Sequence, residues 1–244
     1  MALWQANIAS KEVGFSVPIT VITPDNINEN TKTLFLLHGY TGSNLDWVRY
    51  TNIEKLALEK QICVVMPAIN NSFYTNMAYG PNYYSFMSKE LPTIISNTFN
   101  LKLTKENTFV IGLSMGGYGA LKLAFRNPDN YFAVASFSGV VDVSKVFEYF
   151  PSNKKIMEGI FKSKENLLDK NNQDNLYNLL DNNLSNLKIY LSCGQSDTFY
   201  EDNKKFIKKL DEKNITYYFN DVSGDHNWEF WDKEIKNALN YLLS

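Results

Sequence analysis

Thr108-Phe109-Val110-Ile111-Gly112-Leu113-Ser114-Met115-Gly116-Gly117 joins a short apolar run to a helix-forming one through a turn that carries three glycines. The continuous run Thr108 to Ile111 reads as a strand buried on both faces. From Met115 to Phe125 the apolar residues recur at three- and four-residue spacing, as a core-facing helix requires. Gly112 and Gly116 omit side chains where strand and helix would collide, and Gly117 lets the helix lie close to its neighbour. A strand passing so abruptly into a helix predicts an α/β fold with a parallel sheet.

The flanking sequence repeats this grammar. Apolar runs recur at Leu34 to Leu37, Ile62 to Met66, Phe132 to Ala135 and Ile189 to Leu191, with a further strand-like segment at Thr216 to Phe219. Helical spacing separates them at Ile53 to Glu59, at Tyr83 to Phe99 (where Pro92 should introduce a kink), at Tyr200 to Leu210 and at Trp228 to Leu243. Uninterrupted strands alternating with helices specify a doubly wound, mostly parallel sheet covered on both faces. Near the start, Phe15, Val17, Ile19 and Val21 alternate with smaller or polar residues, predicting a half-buried strand. Residues 142–186, rich in Asn, Lys, Asp and Ser, predict short helices and loops inserted over one end of the sheet, where a lid would sit. The whole chain, 1–244, reads as one domain.

Composition sets limits. A chain of 244 residues that is 44% hydrophobic can bury a sizeable core. With 24 Lys plus Arg against 26 Asp plus Glu, the net charge is -2, which offers no basic face to a nucleic acid. The start, Met1-Ala2-Leu3-Trp4-Gln5, lacks the basic and apolar regions of a signal peptide, and no run approaches the roughly 18 apolar residues of a membrane span. Cys63 and Cys193 both fall in strand-like apolar runs, so neither a disulfide nor a metal site is expected, and a cytoplasmic location fits. No cofactor motif is present, and the sequence leaves open whether copies associate into a homo-oligomer.

Ser114 lies at the bend, in the pattern Gly-x-Ser-x-Gly. That placement predicts a nucleophile elbow, although a glycine-rich turn alone also occurs in unrelated α/β domains. A serine hydroxyl attacks only if a base takes its proton. Of the two histidines, His38 precedes Gly39 at the end of the first core strand. His226 lies in Val222-Ser223-Gly224-Asp225-His226-Asn227-Trp228, a polar loop before the last helix, and is the expected base. A carboxylate must orient it, and Asp197, in the loop Cys193-Gly194-Gln195-Ser196-Asp197, is preferred to Glu201 and Asp202, which fall in the following helix. Charge developing on a carbonyl oxygen needs two amide donors. Met115 N–H should supply one and Tyr40 N–H the other, within His38-Gly39-Tyr40-Thr41-Gly42-Ser43, although that turn can equally be a strand terminator. Gly39, Trp47 and Tyr84 are expected to bind substrate, with Tyr40, Phe73, Tyr74, Tyr79 and Tyr83 completing an apolar aromatic wall suited to small acyl or aryl groups, although any one of these rings can equally be core or surface packing.

Leu36-Leu37-His38-Gly39-Tyr40-Thr41-Gly42 with Trp47, Gly112 to Ala120, Ser138-Gly139, Cys193 to Asp197, and Gly224 to Trp228 with Trp231 together resemble the putative-esterase family of α/β hydrolases. The resemblance runs from about Thr33 to Trp231. It implies an α/β-hydrolase fold, a triad of Ser114, Asp197 and His226, and hydrolysis of a small-molecule ester. Within that family the chain is most similar to the small tributyrin-type acyl esterases. S-formylglutathione hydrolases usually carry histidine before the nucleophile, where this chain has Leu113, and a cysteine after the oxyanion-loop glycine, which is missing near Gly39. Acyl transfer to an alcohol, thioester hydrolysis, or a non-catalytic binding role on the same scaffold are the alternatives.

Overall fold

The strongest apolar runs form the centre of a sheet, because continuous Val, Ile, Leu and Phe satisfy a strand covered on both faces. The computed structural model describes residues 1–243. Its strands are β1 (Ala2–Ala9), β2 (Ser16–Thr23), β3 (Thr33–Leu37), β4 (Cys63–Pro67), β5 (Thr108–Leu113), β6 (Ala133–Phe137), β7 (Lys188–Gly194) and β8 (Tyr218–Val222), in the spatial order β1-β2-β4-β3-β5-β6-β7-β8. From β4 to β8 every pairing is parallel, while β1 and β2 run antiparallel. This is the doubly wound sheet of the α/β-hydrolase fold.

The helices are α1 (Asp46–Tyr50), α2 (Ile53–Lys60), α3 (Tyr83–Ser85), α4 (Leu91–Phe99), α5 (Met115–Arg126), α6 (Val146–Tyr149), α7 (Lys154–Phe161), α8 (Lys164–Leu168), α9 (Tyr200–Glu212) and α10 (Trp228–Leu242). One apolar cluster, with Val65, Val110 and Leu121, lies on one face of the sheet. A second, with Leu36, Ile111 and Ile235, lies on the other. Instead of a break at Pro92, the helix passes through a π-helical turn, Phe86–Glu90, placing the proline at the start of α4. Proline donates no hydrogen bond there, and the wider turn absorbs the mismatch.

Two expectations need correction. β1 has no counterpart in the predicted strands, since its side chains are mostly exposed and give no apolar run. β2 is not half-buried: from Ile19 to Thr23 every residue is buried, because Ile19 and Val21 pack into the apolar cluster on one face of the sheet and Ile22 into the cluster on the other.

Residues 142–186 form the short helices expected of them and no strand. Their apolar residues Met157, Ile160, Phe161, Leu167 and Leu176 are buried in the main cluster. Two polar anchors hold the segment to the core. Lys145 and Tyr149 both donate to Asp202 on α9, and Asp174 accepts from the fully buried Lys122 of α5 at 3.1 Å.

Candidate active site

Ser114 stands alone between β5 and α5 with φ 53° and ψ -119°. For a non-glycine residue this is a sparsely populated conformation costing on the order of 1–3 kcal/mol, and the surroundings impose it. Ser114 N–H donates to Phe137 O at 2.8 Å, and Ser114 O accepts from Tyr118 N–H at 3.1 Å. The glycines are obligatory: a Cβ on Gly112 would lie 2.2 Å from Gly116 O, and one on Gly116 would lie 2.5 Å from Leu37 O. So tight a bend lifts the Ser114 hydroxyl out of the sheet toward solvent.

His226 meets it from the loop between β8 and α10. Ser114 Oγ lies 3.1 Å from His226 Nε2, and His226 Nδ1 lies 2.9 Å from Asp197 Oδ2. An ionised carboxylate can only accept, so Nδ1 carries the proton and Nε2 is left free to accept from the serine. Asp197 is held in turn by Phe199 N–H, at 2.9 Å from its other oxygen. Burial pushes the Asp197 carboxyl upward, but the hydrogen bond and charge of His226, with the Phe199 amide and the Ser138 hydroxyl, outweigh it and hold the group below its usual range. The imidazole is also pinned edge to face between Phe199, at 5.2 Å between ring centroids, and Trp231, at 4.9 Å. Trp231 Nε1–H donates to Ser138 Oγ at 3.1 Å, which fixes the tryptophan. Phe199 belongs to no motif quoted from the sequence, and Ser138 enters there only through Ser138-Gly139; the ring contact of the one and the hydrogen bond of the other are made by folding.

The turn after β3 packs directly on the bend. A Cβ at Gly39 would fall 2.7 Å from Leu113 Cδ1 and 3.5 Å from Ser114 Cβ, so a larger residue there would have to displace the Leu113 side chain. The amides of Tyr40 and Met115 donate to no protein acceptor among the described residues. Met115 N–H is an orphan donor of the first turn of α5. His38 is a structural clamp for this turn. Ile69 N–H donates to its Nε2 at 3.1 Å, so Nδ1 carries the proton and donates to Gly39 O at 2.7 Å. Complete burial lowers its pKa, in keeping with a neutral ring.

A cleft of about 630 Å³ opens over Ser114, lined by Gly39, Tyr40, Arg49, Tyr50, His226, Trp228 and Trp231 among others. Two expected substrate contacts are absent from it. Trp47 is buried under the cleft, donating from Nε1 to Leu37 O at 3.1 Å and packing on Phe137 and Trp228. Tyr84 is buried elsewhere, its hydroxyl accepting from Asn127 and its ring covered by Arg126. Phe73, Tyr74 and Tyr83 are likewise core residues, and Tyr79 is 72% exposed away from the cleft. Trp47, Phe73, Tyr74, Tyr83 and Tyr84 serve the core instead. No residue of 142–186 lines the cleft; Phe150 reaches it only by packing on Tyr40, 4.8 Å between centroids. Asp202 is taken up by Lys145 and Tyr149, and Glu201 is exposed on α9, so the histidine's carboxylate partner is Asp197. Among the described residues no cluster of His, Cys, Asp and Glu is arranged to hold a metal ion.

The sequence matches the family described as Putative esterase over residues 10–242. The chain belongs to this family. It is a carboxylic ester hydrolase of the serine type. An acetyl esterase of Caldicellulosiruptor saccharolyticus is 29% identical to it, covering 99% of this chain and 98% of its own. Two Staphylococcus aureus structures superimpose with TM-scores of 0.89. The fluorophosphonate-binding serine hydrolase F, substrate bound, is 32% identical, covering 100% of this chain and 98% of its own. An S-formylglutathione hydrolase is 31% identical, covering 100% and 99%.

Proposed function

We propose that this esterase cleaves short-chain acyl or small aryl esters in two steps through an acyl-serine intermediate. Ser114 Oγ attacks the carbonyl carbon while His226 Nε2 takes its proton, and the charge formed on the carbonyl oxygen is met by the N–H groups of Tyr40 and Met115. His226 returns the proton to the departing alcohol oxygen as the C–O bond breaks. Water then enters, again deprotonated at Nε2, and releases the acid and free Ser114. Asp197 keeps the imidazole in the required tautomer and balances its charge once it is protonated. The observation that carries this reading is the continuous hydrogen-bonded path from Asp197 through His226 to Ser114.

The acetyl specificity in the name of the Caldicellulosiruptor relative supports a short acyl group. A cytoplasmic site of action fits two cysteines that are free and buried. The test is a series of p-nitrophenyl esters of increasing acyl length, with turnover expected to be highest at two to four carbons. Ser114→Ala should lower kcat by up to roughly a millionfold. Retention of wild-type turnover in that variant would refute the assignment. Thioester hydrolysis is a second reading, favoured by the staphylococcal S-formylglutathione hydrolase at 31% identity. Comparing an acyl ester with an S-acyl glutathione separates the two, and adding a competing alcohol reports on acyl transfer.

A further inference from the structure

Arg49 is the one lysine or arginine among the described residues lining the cleft above Ser114. It stands exposed in the last turn of α1, and among the described residues no carboxylate comes within 4.0 Å of its guanidinium. Asp46, one turn earlier, also borders the cleft, but its two oxygens accept from the Ser43 hydroxyl at 2.9 Å and the Ser43 amide at 3.1 Å. The guanidinium carbon lies 5.1 Å from the centre of the Tyr50 ring. Tyr50 is stacked on Trp228 at 4.9 Å with the planes 29° apart. Trp228 meets Trp231 edge to face at 5.2 Å, and Trp231 meets His226 in the same way at 4.9 Å. A row of rings therefore leads from the catalytic imidazole to an unpaired cation.

Direction follows from the chemistry. The imidazole must hand its proton to the departing oxygen, so the leaving alcohol lies on the side of the cleft that His226 and its chain neighbours form. That is the side of Trp228 and Tyr50. We infer that Arg49 selects esters whose leaving alcohol carries an anionic group, carboxylate or phosphate, on a flat or apolar body resting along the Tyr50–Trp228 shelf. This rests on the acyl-serine reading above. The guanidinium fork matches either anion in two parallel hydrogen bonds, and its cation–π contact with Tyr50 places it beside the shelf. The cleft thus departs from the apolar wall expected of the sequence.

Three acetyl esters with similar leaving groups test it: 4-acetoxybenzamide, 4-acetoxybenzoate and 4-acetoxyphenyl phosphate, each rate divided by its rate with hydroxide alone. At low ionic strength the wild-type enzyme should prefer one or both anionic esters over the amide by about fivefold in kcat/KM, through KM, and 0.5 M salt should shrink the ratio. The larger of the two ratios identifies the anion. Arg49→Gln should bring the ratio to about one, Arg49→Lys should keep part of it, and Lys55→Gln, which removes a cation outside the cleft, should leave it at the wild-type value. A ratio unchanged in Arg49→Gln, or absent in the wild type, overturns the inference while leaving the esterase reading intact. Failure to hydrolyse any of the three esters in a Ser114-dependent way overturns both.

Discussion

At Ser114 the backbone conformation and the chemistry have one cause: the strained bend that no side chain would favour is what holds the hydroxyl under His226 Nε2. The imidazole is fixed on its other nitrogen by Asp197 and packs at steep angles against Phe199 and Trp231, so little reorganisation is left for the reaction. Asp197→Asn keeps the size but can donate to Nδ1, which would put the proton on the nitrogen that must accept from serine. We expect kcat to fall about 10⁴-fold, less than for Ser114→Ala, with the fold unchanged by circular dichroism. A loss under tenfold would mean that Asp197 does not set the tautomer. Ser114 is legible because it sits in a Gly-x-Ser-x-Gly turn directly after the apolar strand β5, and Asp197 and His226 because each lies in a glycine-bearing loop after a later strand. Trp47 and Tyr84 were misplaced because composition cannot distinguish a ring facing a cleft from one facing the core.

Among the elements, α5 and the 142–186 segment depend on each other through Lys122. Burial lowers the pKa of this lysine to about 8, although the charge and hydrogen bond of Asp174 act to raise it. Its Nζ also donates to Thr75 Oγ1 at 2.7 Å and Phe73 O at 3.2 Å. Removing the carboxylate leaves a cation without its counter-charge in the core. Asp174→Ala should therefore destabilise by about 2–3 kcal/mol at pH 7, somewhat under the usual value for a buried pair because Asp174 is partly exposed. The sign with pH follows from linkage. The folded pKa lies below the unfolded one, near 10.4, so above about pH 8 the unfolded chain binds more protons and the stability set by this residue rises with pH. The deficit of the variant should accordingly shrink between pH 7 and 9.5 in urea unfolding. A deficit that is constant with pH would show that Lys122 is not the group left exposed to the loss. The sequence marks residues 142–186 as helical and polar, yet not their anchors, since Lys122 and Asp174 lie 52 residues apart.

For the molecule as a whole, the antiparallel strand β1 closes one side of the sheet. It pairs with β2 over its full length, Ala2 opposite Thr23 through Ala9 opposite Ser16, and shields a strand whose inner residues are buried. Deleting residues 1–9 would expose the backbone edge of Val17 to Val21 to other chains. We expect the truncated protein to aggregate, seen as increased light scattering and lower soluble yield, while the remaining monomer keeps Ser114-dependent turnover. A truncated form that stays monomeric at high concentration would contradict that role. Taken alone, the sequence determined the parallel α/β sheet, the bend at Ser114 and the loops that hold Asp197 and His226, because strand periodicity and turn glycines are local properties. Only the tertiary structure decided that β1 adds an edge, that His38 clamps a turn, and that Arg49 faces the cleft while Trp47 and Tyr84 do not. Those outcomes depend on which surfaces meet across long stretches of chain, and no local pattern encodes that.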